Sequence, residues 1–416
     1  MQRSWLREGI RRWGWYVLFL YVVLLLASHL YLSKRSQPDP SEDSDRRIVQ
    51  VDNRKLAYLE WGGANPNLPP LILLHGSPGR GARDWEKIAP LLAVSGRRII
   101  AIDRWGNGAS EPKVDDYSFE ADREAVIGLM DSLAIKRAHV AGWSYGGGPA
   151  ILLGDLHRDR ILSVSLIAAI GIQEGEGSGS YLVEHWKYSL LYVLANWLPE
   201  AIPHFGLLGS RSFRRAFARD FMDCDQRGLK SGLATLEVPL FIIHGKHDPL
   251  IPAWVAQEHH RLQPRSRLVM LDASHFFAFG FRSTEDLEIA VEEQNGFLAA
   301  VDGRTVSGLY GVRNETDQEN LRALWEGGPS IRGYKPWWIV VSAGMVLGLI
   351  VPRSGGFLAG LAGALLIIDF LTGLTGILVG SIINRGESRS RFHKGVSAVL
   401  CGLVGFIPGA FLLPLL

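Results

Sequence analysis

With 416 residues the chain has room for about two to three domains by length alone. Its net charge of +2, with neither a large excess of Lys and Arg nor a basic stripe, argues against nucleic acid as a partner. The two cysteines, Cys224 and Cys401, fall in different predicted regions and suggest no disulfide framework or metal cage.

Both ends carry long uncharged runs. Residues 13–32 are apolar with aromatic flanks and span about twenty positions, the length that crosses a bilayer. Arg3, Arg7, Arg11 and Arg12 precede them and no small-residue cleavage pattern follows. Residues 1–35 therefore read as an uncleaved membrane anchor, with a removable signal peptide as the alternative. A stretch of Pro, Ser and acidic residues at 36–45 reads as a solvated linker.

From residue 46 the pattern is that of a folded domain, expected over 46–302. Strands are predicted at 46–51 and 55–60, joined through the turn signal Asp52-Asn53, and a continuous apolar strand at 71–74 leads into His75-Gly76-Ser77-Pro78-Gly79. A strand at 98–102 leads into Asp103-Arg104-Trp105-Gly106-Asn107-Gly108-Ala109-Ser110, and helical spacing runs over 119–133. Next come a short strand from 138, the turn Gly142-Trp143-Ser144-Tyr145-Gly146, a helix at 149–156 and an apolar strand at 161–170. Strand, helix and strand with short connections predict a doubly wound, mostly parallel α/β sheet.

The pattern then changes. Residues 171–180, rich in Gly, Ser and Glu, read as mobile, and 181–232 read as helices carrying Trp186, Tyr188, Trp197, Phe205, Phe213, Phe217 and Phe221. Two more strands, at 239–244 and 267–271, end in Gly245-Lys246-His247-Asp248 and Ala273-Ser274-His275; a helix is expected at 253–262 between them and another at 283–301 after them. His259 and His260 read as a partly solvated helix face. His244 and His247 have a spacing reminiscent of a metal site, but no third or fourth ligand is evident, so no metal or cofactor is expected.

Residues 303–335 read as a connector and 336–416 as a C-terminal transmembrane region, with apolar runs at 337–351, 357–383 and 396–416. Asp369 inside the second run is costly in lipid and should face a neighbouring helix or mark a break.

The stretch around Ser144 organises these elements. A serine between strand and helix in so sharp a turn needs small neighbours, which Gly142 and Gly146 supply, and it sits before the positive end of a helix. The Gly-x-Ser-x-Gly pattern, followed in order by Asp248 and His275, each just past a strand, resembles the α/β-hydrolase superfamily of serine hydrolases. The Asp-x-x-Gly-x-Gly-x-Ser turn at 103–110 adds to the likeness, and the helical insert at about 171–235 sits where such folds carry a cap. The resemblance implies Ser144 as nucleophile, His275 as base, Asp248 as its orienting carboxylate, and the backbone N–H groups of Ser77 and Tyr145 as an oxyanion hole. It assigns His75 and Asp103 to loop structure.

The expected function is a membrane-bound esterase or lipase-like enzyme acting on a small or lipid-like acyl substrate. A proline-type aminopeptidase, a carbon–carbon bond hydrolase and an inactive binding or scaffold module remain open. The arginines before the first apolar run favour a bacterial inner (plasma) membrane with the hydrolase domain outside the cytoplasm. No nucleic-acid partner is expected.

Overall fold

The computed structural model describes residues 2–35, 45–77, 79–205, 207, 210–279, 283–303 and 310–312. Residues 36–44 of the linker expected at 36–45, nearly all of the connector and the three C-terminal apolar runs lie outside them.

Helix α1 (Gln2–Arg35) contains an apolar stretch, Trp15–Ser33, with a mean hydropathy of 2.0 and little burial. It is the one helix among the described residues long and apolar enough to cross a bilayer. Residues Val23–Pro329 form one compact unit.

Among its described residues that unit has nine strands: β1 (Arg47–Val51), β2 (Arg54–Trp61), β3 (Leu71–Leu74), β4 (Ile99–Ile102), β5 (Ala138–Trp143), β6 (Ile161–Ile167), β7 (Leu240–Gly245), β8 (Ser266–Leu271) and β9 (Gly311–Val312). They lie in the order β1-β2-β4-β3-β5-β6-β7-β8-β9. The β1–β2 and β2–β4 pairs are antiparallel, and every later pair is parallel. The opening hairpin turns through Asp52 and Asn53, both at positive φ.

Parallel strands covered on both faces need apolar residues on both, which is why β3 is simply Leu-Ile-Leu-Leu with every side chain buried. Its residues alternate between two cores. Ile72 and Leu74 join the layer that packs against α3 (Phe119–Ser132), α4 (Gly147–Leu156) and α8 (Trp254–Leu262). Leu71 and Leu73 join Trp85, Leu92 of α2 (Ala89–Leu92), and Phe297 and Leu298 of α9 (Thr284–Val301) on the opposite face. Ser118 caps α3 by accepting from Ala121 N at 3.2 Å, and Ser283 caps α9 from Asp286 N at 3.2 Å.

Three local features complete the unit. The segment at 171–180 carries a 3-10 turn, Gln173–Gly175, with Ile172 and Gln173 buried and Gly171 N bonded to Gln226 Oε1 at 3.0 Å. Of the helices between β6 and β7, α5 (Tyr181–Trp197) and α6 (Arg211–Asp223) pack on each other, whereas α7 (Leu229–Ala234) packs on α4 and α8. The paired helices of the insert thus end at Asp223, before α7. The connector also contributes β9, which extends the sheet beyond β8.

Candidate active site

Because β5, β7 and β8 run parallel, residues just past their ends collect at one sheet edge. Ser144 opens a 3-10 turn, Ser144–Gly146, between β5 and α4, with φ of 55°, a left-handed conformation rare for a residue with a Cβ. The flanking glycines are enforced by backbone packing. A Cβ on Gly142 would lie 2.1 Å from Gly146 O, and one on Gly146 would lie 2.3 Å from Leu74 O.

The loop after β3 closes against this turn. A Cβ on Gly76 would come within 2.8 Å of the Trp143 ring and 3.0 Å of Ser144 Cβ, so only glycine lets the Ser77 loop approach. His75, fully buried, fastens that loop: Nδ1 donates to Gly76 O at 2.7 Å and Nε2 accepts from Arg104 N at 3.0 Å. Burial and the Arg104 charge take its pKa well below the ordinary histidine value, which keeps it neutral. Asp103 gathers N–H groups as expected, accepting from Ala82 N at 2.6 Å and Ala109 N at 2.9 Å and pairing with Arg46 at 2.9 Å.

Asp248 and His275 meet. His275 Nδ1 donates to Asp248 Oδ2 at 2.6 Å, and both side chains are buried. The other carboxylate oxygen accepts from Leu250 N at 2.8 Å and Ile251 N at 2.9 Å. Burial alone would raise the Asp248 pKa, but hydrogen bonds from His244 and His275 hold it well below the usual carboxylate range. The turn after β7 is tied to the end of β8 through Lys246 N to Leu271 O at 2.8 Å and His247 N to Ala273 O at 3.0 Å. His275 is tied back to β5: Trp143 Nε1 donates to its carbonyl at 3.4 Å, and the two rings lie 5.4 Å apart. No Ser144–His275 hydrogen bond is among the described contacts; such bonds commonly tighten only when substrate binds.

Sequence reasoning gave Arg104 no role of its own and weighed His244 only as a metal ligand. Arg104 is buried behind Tyr145, its Cζ 4.1 Å from that ring. It donates to Asp122 and to Asp220 of α6, each at 2.8 Å, and to the carbonyls of His75 at 3.2 Å and Gly76 at 3.3 Å. One guanidinium thus joins the Ser77 loop, α3 and the insert, with the Ser77 hydroxyl beside the Asp220 carboxylate but not in a well-formed hydrogen bond. His244 sends Nε2 to Ile251 O at 3.0 Å, with Asp248 Oδ2 3.3 Å away. His247 instead points outward to Asp272 at 2.6 Å, so the two histidines face opposite ways. Among the described residues no cluster of three or more His, Cys, Asp and Glu is placed to hold a metal ion.

His259 is a correction. It is fully buried, and burial with the nearby His244 charge lowers its pKa to about 3. A hydrogen-bonded Ser-His-Asp string lies at the opposite sheet edge: Ser163 Oγ is 2.8 Å from His139 Nδ1, and His139 Nε2 is 3.1 Å from Asp302 Oδ1. It is sealed from solvent, and Arg97 pairs with Asp302 at 2.5 Å, so it ties the end of α9 to β5 and β6.

A sequence model of the α/β hydrolase fold matches residues 69–220. The chain is also 32% identical over 238 residues to a 2-hydroxymuconate semialdehyde hydrolase from Pseudomonas sp. (strain CF600), covering 52% of this chain and 81% of that one. The chain belongs to the α/β-hydrolase family. A second relative, the dihydrolipoyllysine-residue acetyltransferase component of the acetoin cleaving system of Pseudomonas putida, is 30% identical over 255 residues, 57% of this chain and 66% of that protein. Among solved structures, the enol-lactonase from Burkholderia xenovorans LB400 is 24% identical with a TM-score of 0.49, covering 61% of this α/β hydrolase and 100% of that chain.

Proposed function

We propose that the protein is a membrane-anchored serine hydrolase that cleaves carboxylic esters through an acyl-enzyme on Ser144. The observation that carries this reading is the His275 Nδ1 to Asp248 Oδ2 bond of 2.6 Å at the same sheet edge as a serine held at φ of 55°. With Nδ1 committed to the carboxylate, His275 Nε2 is left with its lone pair to accept the Ser144 proton.

Ser144 Oγ adds to the ester carbonyl carbon while its proton passes to His275. The oxygen that gains charge is stabilised by the N–H groups of Ser77 and Tyr145, each donor being worth about 3 kcal/mol in such sites. Collapse expels the alcohol, which takes the proton from His275. Water then repeats the two transfers and releases the acid.

A hydrolase of muconate semialdehyde type is the second reading, favoured by the 32% identical relative. Charge supports the neutral ester. Arg104 is already matched by Asp122 and Asp220, so this side of the site offers no spare positive charge to a carboxylate-bearing substrate. The rings leading away from Tyr145 are apolar: Phe221 lies 5.8 Å from it, and Tyr188 stacks on Phe221 at 4.7 Å. They suit an acyl chain.

We place α1 in the membrane as an anchor, with the hydrolase unit outside the cytoplasm. A fluorophosphonate probe tests the nucleophile: it should label the wild type and fail on Ser144→Ala, and labelling that survives the substitution refutes the assignment. Rates on esters of graded chain length, set beside prolyl amides, rank the substrate classes.

A further inference from the structure

Helix α5 is amphipathic in the wrong sense for a helix roofing a soluble domain. Its inward residues include Glu184, which is buried and paired with Lys187, and Asn196, with Tyr188 and Tyr192 half-buried between them. Leu182, Trp186, Leu190, Val193, Leu194 and Trp197 face outward, both tryptophans being 72% exposed. At 3.6 residues per turn these six fall within an arc of about 120°, and the two tryptophans are about 16 Å apart along the axis. Water is a costly surrounding for such a stripe, and an exposed apolar patch of this kind marks a binding surface.

The occupant is indicated by what α5 is attached to. The 3-10 turn that follows it, Pro199–Ala201, and Phe205 just beyond receive the end of α1: Phe205 N donates to Ser28 Oγ at 2.9 Å, His29 Nε2 meets Glu200 O at 3.0 Å, and the Tyr31 and Phe205 rings lie 6.1 Å apart. Ser28 lies five residues before Ser33, where the apolar stretch ends, or about 7.5 Å along a helix. A bilayer-crossing α1 would hold this turn at the depth of about 5–10 Å that interfacial helices occupy. Tryptophan is enriched at that level because its ring is apolar and its N–H is polar.

Resting on the reading of α1 as an anchor, we infer that α5 lies in the headgroup boundary of the same bilayer, its Trp186 and Trp197 face embedded in lipid. The inner face of α5 leads through Tyr188 and Phe221 to Tyr145, next to Ser144. An α5 so placed brings a membrane-dissolved acyl substrate to the insert that packs on Tyr145.

The test uses the full chain with Cys401→Ser, Cys224 being buried, reconstituted in phosphatidylcholine vesicles. An environment-sensitive fluorophore is attached to one introduced cysteine at a time: Trp186→Cys, Trp197→Cys, Leu24→Cys in α1, or Val94→Cys, exposed before β4 at the opposite sheet edge. Doxyl-labelled phosphatidylcholine should quench positions 24, 186 and 197 and spare 94. Quenching at 24 without quenching at 186 and 197 overturns the inference and leaves the anchor standing, whether those positions then prove open to aqueous iodide or covered by a second copy or another part of the chain. Quenching at 186 and 197 without 24 supports a lipid-facing α5 and refutes the anchor. No quenching at any of the three refutes both. A Trp186→Glu, Trp197→Glu variant should keep its rate on a water-soluble ester and lose rate on an ester carried in vesicles; equal loss on both contradicts the inference.

Discussion

His244 Nε2 stands 3.3 Å from Asp248 Oδ2, the same carboxylate oxygen that receives His275 Nδ1 at 2.6 Å. The carboxylate is therefore held from behind by a second imidazole, which fixes its direction toward His275. Removing a hydrogen bond to a charged group costs about 1.5–3 kcal/mol, so His244→Ala should lower kcat on an ester about 10- to 100-fold. Asp248→Asn removes the charge itself and should cost about ten-thousand-fold, the loss typical of Ser-His-Asp triads. Steady-state kinetics on both variants check the ranking. An equal loss in the two would mean that His244 does more than position the carboxylate.

Gly146→Ala places a methyl group where Leu74 O already sits, 2.3 Å away. Backbone on both sides leaves no flexible side chain to yield. We expect a loss of stability of at least about 2 kcal/mol, read from urea unfolding, and loss of activity in whatever protein folds.

Arg104, Asp122 and Asp220 place two carboxylates on one buried guanidinium. Arg104→Met leaves both acids without their partner and should cost about 3–5 kcal/mol. Burial, with repulsion from Asp220 and despite Arg104, raises the Asp122 pKa from 3.8 to about 6. A folded pKa above the unfolded one means that the folded chain binds more protons between about pH 4 and 6. The contribution of Asp122 to stability therefore falls as pH rises through that window. Asp220→Asn relieves the repulsion, so stability measured by urea at pH 4 to 7 should decline less across the window than in the wild type.

Asp302 gives the opposite sign at the other sheet edge. Burial works against it, but hydrogen bonds from His139 and Arg97 lower its pKa to about 2. Its stabilisation is complete above its ordinary value of 3.8 and is lost as pH falls toward 2. Asp302→Ala takes the buried carboxylate away from Arg97 and should destabilise the fold by about 3–5 kcal/mol while leaving kcat of the folded fraction unchanged, because no part of this string reaches Ser144. Unfolding curves and active-site titration separate the two effects.

Much of this was legible in the sequence because apolar runs bounded by glycine fix buried parallel strands. β3, β4, β7 and β8 fall within one residue or so of their expected positions, and the three candidate triad residues fall at the strand ends that their order implies. What escaped is side-chain direction. The pattern of α5 shows two faces but not which one packs on the domain. Nothing in the spacing of Arg104 and Asp220, 116 positions apart, distinguishes a buried ion pair from surface charge. His259 looked solvated because two histidines on a helix usually are, whereas Gly171 leaves room for its ring against the start of the insert.

The most direct measurement is intact-protein and peptide mass spectrometry after brief acid quenching during turnover of a p-nitrophenyl ester. An acyl-enzyme on Ser144 gives a transient mass increase equal to the acyl group, located on the peptide containing Ser144 and absent from Ser144→Ala. Turnover with no acyl adduct, or an adduct on a different residue that persists in Ser144→Ala, would contradict it.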